Sequence, residues 1–147
     1  MFTKIRTLSI LTGLSAFAQW GNYQPRTANI RGGDGDGKCT IEVEVDGAAE
    51  VEIRGTVARL RTRSGQTATW RRFDCNQAMP TRPYEFRFKG VDGRGRQDLV
   101  RDPSNGGIAV IRIEDSKGGR EGYTFDVTWR GGTGGNNGGR YRRPRQN

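Results

Sequence analysis

Arginine is the residue type in this sequence with the clearest potential for chemistry. Six arginines and no acidic residue occur between Arg54 and Arg72. A guanidinium group binds carboxylate, sulfate and phosphate groups through two parallel hydrogen bonds. The segment therefore predicts an anion-binding face, and the side chains expected to form it are Arg59, Arg61, Arg63, Arg71 and Arg72.

A second basic group lies at the C-terminal end, where residues 131–147 are glycine-rich and contain no acid. Segments of this kind bind single-stranded nucleic acid through phosphate contacts and aromatic stacking, and the same charge attracts other polyanions. The alternative is a solvated tail that affects only solubility. The candidate contact residues of this tail are Arg140, Tyr141, Arg142, Arg143 and Arg145.

Catalytic residues are hard to find in this sequence. The chain contains no histidine, which excludes the Ser-His-Asp and Cys-His systems and most metal hydrolases. Paired carboxylates are able to hydrolyse glycosides, but the acids here lie at predicted turns and strand ends. We therefore expect a protein that is not an enzyme and that uses no cofactor.

Metal binding is also not predicted. Two cysteines without histidine do not supply the four ligands of an ordinary zinc site. The stretch "GGDGDGKC" fails as an EF-hand, because Lys38 and Cys39 stand where an oxygen ligand and a glycine are required. Asp92 and Asp98, in "VDGRGRQD", are the candidate ligands for a calcium site of another type.

The N-terminal residues predict export. Lys4 and Arg6 precede an apolar run from Leu8 to Ala18, which ends in the small-x-small sequence Ala16-Phe17-Ala18. This order is typical of a signal peptide, residues 1–18, with an amphipathic helix as the alternative. The run is too short to span a bilayer, and we expect no transmembrane segment. The mature protein is then secreted, periplasmic or at the cell surface.

Export sets expectations for the cysteines and for the partner. Cys39 and Cys75, the only two cysteines, are predicted to form a disulfide, with a pair of buried thiols as the alternative. The expected partner is an extracellular acidic polysaccharide or a cell-envelope polyanion. Nucleic acid is expected as a partner only outside the cell.

Strands are predicted throughout residues 38–130, because apolar and polar residues alternate there and Gly and Asp mark the turns. Seven or eight short strands predict an antiparallel β-sandwich of jelly-roll or immunoglobulin-like size, with a small β-barrel as the alternative. "IAVIRIE", residues 108–114, is predicted to be a central strand. Residues 19–37 are predicted to be a glycine-rich linker, and residues 131–147 a disordered basic tail.

The segment between Thr56 and Cys75 predicts a hairpin. A three-residue loop at residues 64–66 would pair Leu60 with Trp70 and place both on the apolar face. Arg71 would then lie opposite Arg59. Trp70 and Phe73 are an odd number of residues apart, so we expect a bulge near residues 71–72 to turn both inward.

Charge is unevenly distributed along the chain. The net charge is +9, of which the predicted signal peptide carries +2 and the C-terminal tail +4. Five acids and no base occur between Glu42 and Glu52, directly before the arginine segment. Three interpretations follow. The segments pair as cross-strand ion pairs, the arginines form a free binding face, or the two segments are complementary edges of self-associating molecules.

"IRIEDSKGGREGYTFDVTW", residues 111–129, together with "GKCTIEVEVDG", resembles uncharacterised small secreted bacterial β-domain proteins. The resemblance implies export and a β-fold, and it carries no activity or site residues. Taken together, the sequence predicts a secreted, non-catalytic binding module for acidic glycans or other extracellular polyanions. The alternative is a self-assembling structural protein of the cell surface or extracellular matrix.

Overall fold

The chain folds into a β-sandwich. The computed structural model describes residues 20–130 with the exception of residues 22 and 105, and this part contains two five-stranded sheets and no helix. None of its described segments is a helix long and apolar enough to cross a membrane. The predicted signal peptide, residues 1–18, and the predicted basic tail, residues 131–147, lie outside the described residues.

Ten strands make up the two sheets. Their bounds are β1 Gln24–Thr27, β2 Asn29–Ile30, β3 Gly37–Asp46, β4 Ala48–Arg54, β5 Val57–Thr62, β6 Thr67–Cys75, β7 Tyr84–Asp92, β8 Arg96–Arg101, β9 Ile108–Glu114 and β10 Glu121–Arg130. The first sheet has the order β1-β5-β4-β9-β8, and the second has the order β2-β6-β3-β10-β7. All pairings are antiparallel except that of β2 with β6.

The core lies between the two sheets and follows from the alternation in sequence. In β3 and β10, every second residue is buried, and Ile41 stands opposite Phe125 in the register of the two strands. The first sheet contributes apolar residues of β4, β5 and β9 from the other side, including Val51, Leu60 and Ile111. The predicted sandwich is confirmed, and the sheets do not close into a barrel.

The predicted disulfide is also confirmed. Cys39 on β3 and Cys75 at the end of β6 are direct register partners, and they are bonded to each other. Both are buried at the edge of the core. "IAVIRIE" forms β9, which lies between β4 and β8 as a central strand, as predicted.

The predicted hairpin is wrong. Strands β5 and β6 belong to different sheets, so Leu60 does not pair with Trp70, and Arg71 does not lie opposite Arg59. A turn after Arg63, closed by a hydrogen bond from Gln66 N to Arg63 O at 3.1 Å, carries the chain from one sheet to the other. With this path, the apolar residues of β5 and β6 are buried from opposite sides of the core. The two strands do not need to pair in one sheet for both to be buried.

The predicted bulge is confirmed. In the pairing of β3 with β6, Glu42 stands opposite Arg72 and Val43 opposite Trp70, which leaves Arg71 as the extra residue. Phe73 is therefore fully buried, while Trp70 packs against the edge of the core.

The structure also differs from the predicted linker at residues 19–37. β1 pairs with β5 and β2 pairs with β6, and Trp20 forms an isolated bridge with Arg63. A strand that pairs with the open edge of a sheet through its backbone does not need alternating apolar and polar residues. The residues of β1 and β2 are all exposed, so the sequence pattern did not predict these strands. The glycine-rich residues 31–36 do connect β2 to β3 without regular structure.

Candidate anion-binding surfaces

The arginines predicted to form one face are divided between the two outer faces of the sandwich. Arg59, Arg61 and Arg63 belong to β5 or its end, on the first sheet. Arg71 and Arg72 belong to β6, on the second sheet. The structure therefore does not bring these five side chains together into one site.

On the first sheet, Glu50 lies between two arginines from neighbouring strands. Arg61 donates to its Oε2 from Nε at 3.1 Å and Nη2 at 2.6 Å, and Arg112 donates to its Oε1 at 3.1 and 2.8 Å. The Glu50 side chain is only 4% exposed. Burial opposes the charged form of Arg61, but its hydrogen bond with Glu50 and the charge of Glu50 together outweigh that effect, and the pKa of Arg61 is raised.

Two aromatic residues of the N-terminal segment cover this cluster. The Trp20 ring lies 5.3 Å from the guanidinium of Arg61, and 5.2 and 5.8 Å from those of Arg63 and Arg112. Tyr23 lies 5.0 Å from Arg61 and 5.6 Å from Arg59. Such cation–π contacts stabilise the guanidinium groups where they are. Much of the predicted face is therefore already occupied by the protein itself.

On the second sheet, Arg71 and Arg72 also have carboxylate partners. Arg71 donates to Glu44, and Arg72 Nε lies 2.5 Å from Asp74 Oδ2. These hydrogen bonds lower the pKa of Glu44 and of Asp74. Of the interpretations left open by the sequence, the cross-strand ion pairs are present in the structure: acids and arginines of adjacent segments neutralise each other.

A different group of cations forms a cleft on the second sheet. The cleft has a volume of about 610 Å³, and its charged lining residues are Lys38, Arg87 and Arg130 with the acids Asp36 and Glu85. Thr128 on β10 pairs with Lys38 on one side and with Arg87 on the other. Lys38 on β3 and Arg87 on β7 therefore lie on either side of Thr128, in one row across the ends of β3, β10 and β7.

A smaller groove of about 240 Å³ adjoins this cleft and shares Lys38 and Asn76 with it. It adds Arg31 and Arg72 to the cations and Asp74 to the acids. The five cations of the two depressions are named the basic end here: Arg31, Lys38, Arg72, Arg87 and Arg130.

The cations of the basic end are held loosely by their partners, with the exception of Arg72. The closest N–O distances are 3.6 Å for Arg31 with Asp74, 3.4 Å for Lys38 with Asp126, and 3.4 Å for Arg130 with Glu85. Their side chains are 68%, 54% and 65% exposed. Within the described part of the chain, Arg87 has no carboxylate within 4 Å. Exposed pairs of this kind contribute little to stability.

The larger cleft also contains strained and unsatisfied groups. Glu85 has a backbone φ of 48°, a value that residues other than glycine rarely adopt. It lies where the pairing of β7 with β10 is irregular. The indole of Trp129 is packed so closely on Gly37 that a Cβ there would lie 1.8 Å from it. Its buried Nε1 has no hydrogen-bond partner among the described residues. Strain and unpaired buried donors concentrate at functional sites.

The two candidate calcium ligands, Asp92 and Asp98, make other contacts. Asp92 accepts a hydrogen bond from the Gly93 N–H at 2.9 Å, and Asp98 pairs with Arg96 at 2.5 Å. Among the residues that the structure describes, no three acids, cysteines or histidines are grouped to hold a metal ion.

Sequence reasoning missed Arg31, Lys38, Arg87 and Arg130. Arg87 was visible as an outward residue between Phe86 and Phe88, and Lys38 directly precedes the buried Cys39. Their grouping depends on β10 lying between β3 and β7, which alternation along the chain does not specify.

Comparison with protein-family models, with curated proteins and with solved structures finds no match to this chain. The chemistry of the described surfaces therefore carries the functional proposal.

Proposed function

We propose that this chain is a secreted, non-catalytic binding domain for acidic glycans or other extracellular polyanions, and that the basic end receives the ligand. The observation that carries the proposal is the adjoining pair of depressions, lined by five cations and three acids. A polymer with regularly spaced anionic groups can contact both depressions at once.

The acid partners of the cations are easier for a ligand to replace at the basic end than on the predicted arginine face. The ion pairs of Arg31, Lys38 and Arg130 are long and exposed, so a ligand anion replaces them at small cost. The Glu50 cluster behaves differently, because removing its arginines would leave a buried carboxylate unpaired. A polyanion therefore finds accessible cations at the basic end rather than around Glu50.

The C-terminal arginines are proposed as a second contact. Arg130 lines the larger cleft and is the last residue of β10, so the chain enters residues 131–147 directly from the basic end. Arg140 follows Arg130 by ten positions in the sequence, and a chain of that length reaches at most about 35 Å. Binding of Arg140, Arg142, Arg143 and Arg145 to the same polymer would add avidity.

The test is salt elution from a heparin column. The double variant Lys38→Gln/Arg87→Gln removes two cations of the basic end. The matched control Arg26→Gln/Arg82→Gln removes the same charge from exposed positions elsewhere, neither of which has an ion pair among the described residues. We expect the first variant to elute at clearly lower salt than the control, and a chain ending at Arg130 to elute at intermediate salt.

Equal elution of the two double variants would show that net charge alone retains the protein, and this would overturn the proposed site. Elution of the unaltered chain no later than an unrelated protein of the same charge would overturn the proposed function.

Self-assembly through complementary acidic and basic edges is not proposed further. The acidic residues lie on β3 and β4, which are interior strands with neighbours on both sides. Two of their carboxylates are paired with arginines of the same molecule, Glu50 with Arg61 and Glu44 with Arg71.

A further inference from the structure

A second cleft, of about 440 Å³, is lined by residues that the basic end does not use. Its lining comes from the end of β4, the turn into β5, and the segment 79–81 that follows the disulfide. Glu52, Arg54 and Arg59 are its charged residues. This depression is named the loop cleft here.

The two arginines of the loop cleft differ from those around Glu50. Neither Arg54 nor Arg59 has a carboxylate within 4 Å or a hydrogen bond to an acid among the described residues, and both are exposed. Arg59 lies 5.6 Å from the Tyr23 ring, whose hydroxyl donates to Glu52 Oε2 at 3.5 Å. Two guanidinium groups that have no carboxylate partner among the described residues therefore lie on one cleft, and Arg59 also contacts the Tyr23 ring.

Part of the lining of the loop cleft is apolar. Val57, Met79 and Pro80 contribute to its lining, and Val57 is 38% exposed. Met79 is almost fully buried, so it forms a fixed floor rather than a mobile rim. A cleft that is lined by both arginines and apolar side chains suits a ligand that carries an anionic group and a ring or hydrocarbon surface.

Backbone contacts hold the loop cleft open. Met79 N–H donates to Gly55 O at 3.4 Å, which ties the 79–81 segment to the β4–β5 turn. Gly107 has a φ of 69°, and a Cβ there would lie 2.8 Å from Thr81 Cα. Such close backbone packing fixes the position of the segment, so a ligand meets a preorganised cleft.

We infer that the loop cleft binds a small sugar acid, that is, one carboxylate on a single sugar ring. Arg54 and Arg59 would bind the carboxylate, Val57 and Pro80 would contact the ring, and Glu52 would accept from a ring hydroxyl. Two arginines and one glutamate leave one positive charge, which matches a carboxylate better than a phosphate monoester of nearly two charges. The inference does not rest on the proposed polyanion site, because the two share no residue.

The experiment is an amide NMR titration of the full chain with three probes: sodium glucuronate, neutral methyl glucoside and glucose 6-phosphate. We expect saturable shifts at Gly55, Thr56, Thr81 and Gly107 with glucuronate, and affinities at least about tenfold weaker for the other two probes.

Variants locate the binding. Arg54→Gln/Arg59→Gln is expected to weaken glucuronate binding about tenfold or more, while Lys38→Gln/Arg87→Gln removes equal charge and is expected to leave it unchanged. Because the probe comparison uses the unaltered chain, the inference stays testable if a variant fails to fold. Glucuronate shifts that are absent or confined to the basic end would overturn it, as would methyl glucoside binding as tightly as glucuronate.

Discussion

Glu50 on β4 and Arg112 on β9 are register partners, and their side chains are joined by two hydrogen bonds of 3.1 and 2.8 Å. Arg61 on β5 binds the other carboxylate oxygen in the same way from the opposite side. Three adjacent strands of the first sheet are thus linked on their outer face through a single buried carboxylate.

Replacing Glu50 with alanine should destabilise the fold by about 3 kcal/mol, because two arginines would then lie side by side without their shared partner. Glu52→Ala, on the same strand and face, is the control and should cost less than about 1 kcal/mol, since no arginine of the described residues lies within 4 Å of the Glu52 carboxylate. Urea unfolding of both variants measures the difference. Equal losses would show that the Glu50 cluster has no special role.

Trp20 should stabilise the domain although it lies in a segment predicted as a linker. Trp20→Ala removes ring contacts with Arg61, Arg63 and Arg112, and the expected loss is about 1 kcal/mol. Tyr84→Ala, at a side chain 67% exposed, is the matched aromatic control and should have a smaller effect. The thermal unfolding midpoint reports both. If the Trp20 variant unfolds no earlier than the control, the segment does not stabilise the sheet.

The disulfide should contribute strongly to stability. Cys39 and Cys75 are 36 residues apart in sequence, and closing a loop of that length stabilises by about 4 kcal/mol through the unfolded chain. Cys39→Ala/Cys75→Ala should lower the free energy of unfolding by a comparable amount, measured in urea. A reducing agent should shift the unfolding midpoint of the unaltered chain and leave that of the variant in place. A shift of both would contradict a role for this bond.

Alkaline pH should destabilise the domain through Tyr123. Burial, together with the nearby Asp115 carboxylate, raises the pKa of Tyr123 from 10.0 to about 12. The unfolded chain therefore loses the phenol proton first as the pH rises, and the stabilisation present below pH 10 is lost as the pH approaches 12. Over this range the unaltered chain should lose about 2–3 kcal/mol more than Tyr123→Phe in its free energy of unfolding. Parallel pH profiles for the two proteins would contradict this assignment.

Local sequence patterns were sufficient for the strands within residues 38–130, because burial on one face leaves a period of two that is visible in residues such as Ile41, Val43 and Val45. The disulfide followed from the presence of two cysteines in a chain predicted to be exported. The same period does not determine which strands pair. β5 and β6 each bury an apolar face, and that condition is met both in one hairpin and across two sheets. The wrong hairpin follows from this ambiguity.

The candidate site was harder to predict for the same reason. The five predicted arginines are close in sequence, but the turn after Arg63 sends them to opposite faces of the sandwich. Lys38, Arg87 and Arg130 are far apart in sequence and meet only through the order β3-β10-β7. The acids that pair with the arginines were also not predictable from neighbouring sequence, because the pairing of Glu50 with Arg112 joins residues 62 positions apart.

The affinity of the full chain for a heparin oligosaccharide, measured by calorimetry at low and moderate salt, tests the central claim most directly. We predict that Lys38→Gln/Arg87→Gln binds at least about tenfold more weakly than Arg26→Gln/Arg82→Gln at both salt concentrations, with a smaller dependence of affinity on salt. Equal affinities of these two charge-matched variants, or no binding by the unaltered chain at low salt, would contradict the basic end as a polyanion-binding surface.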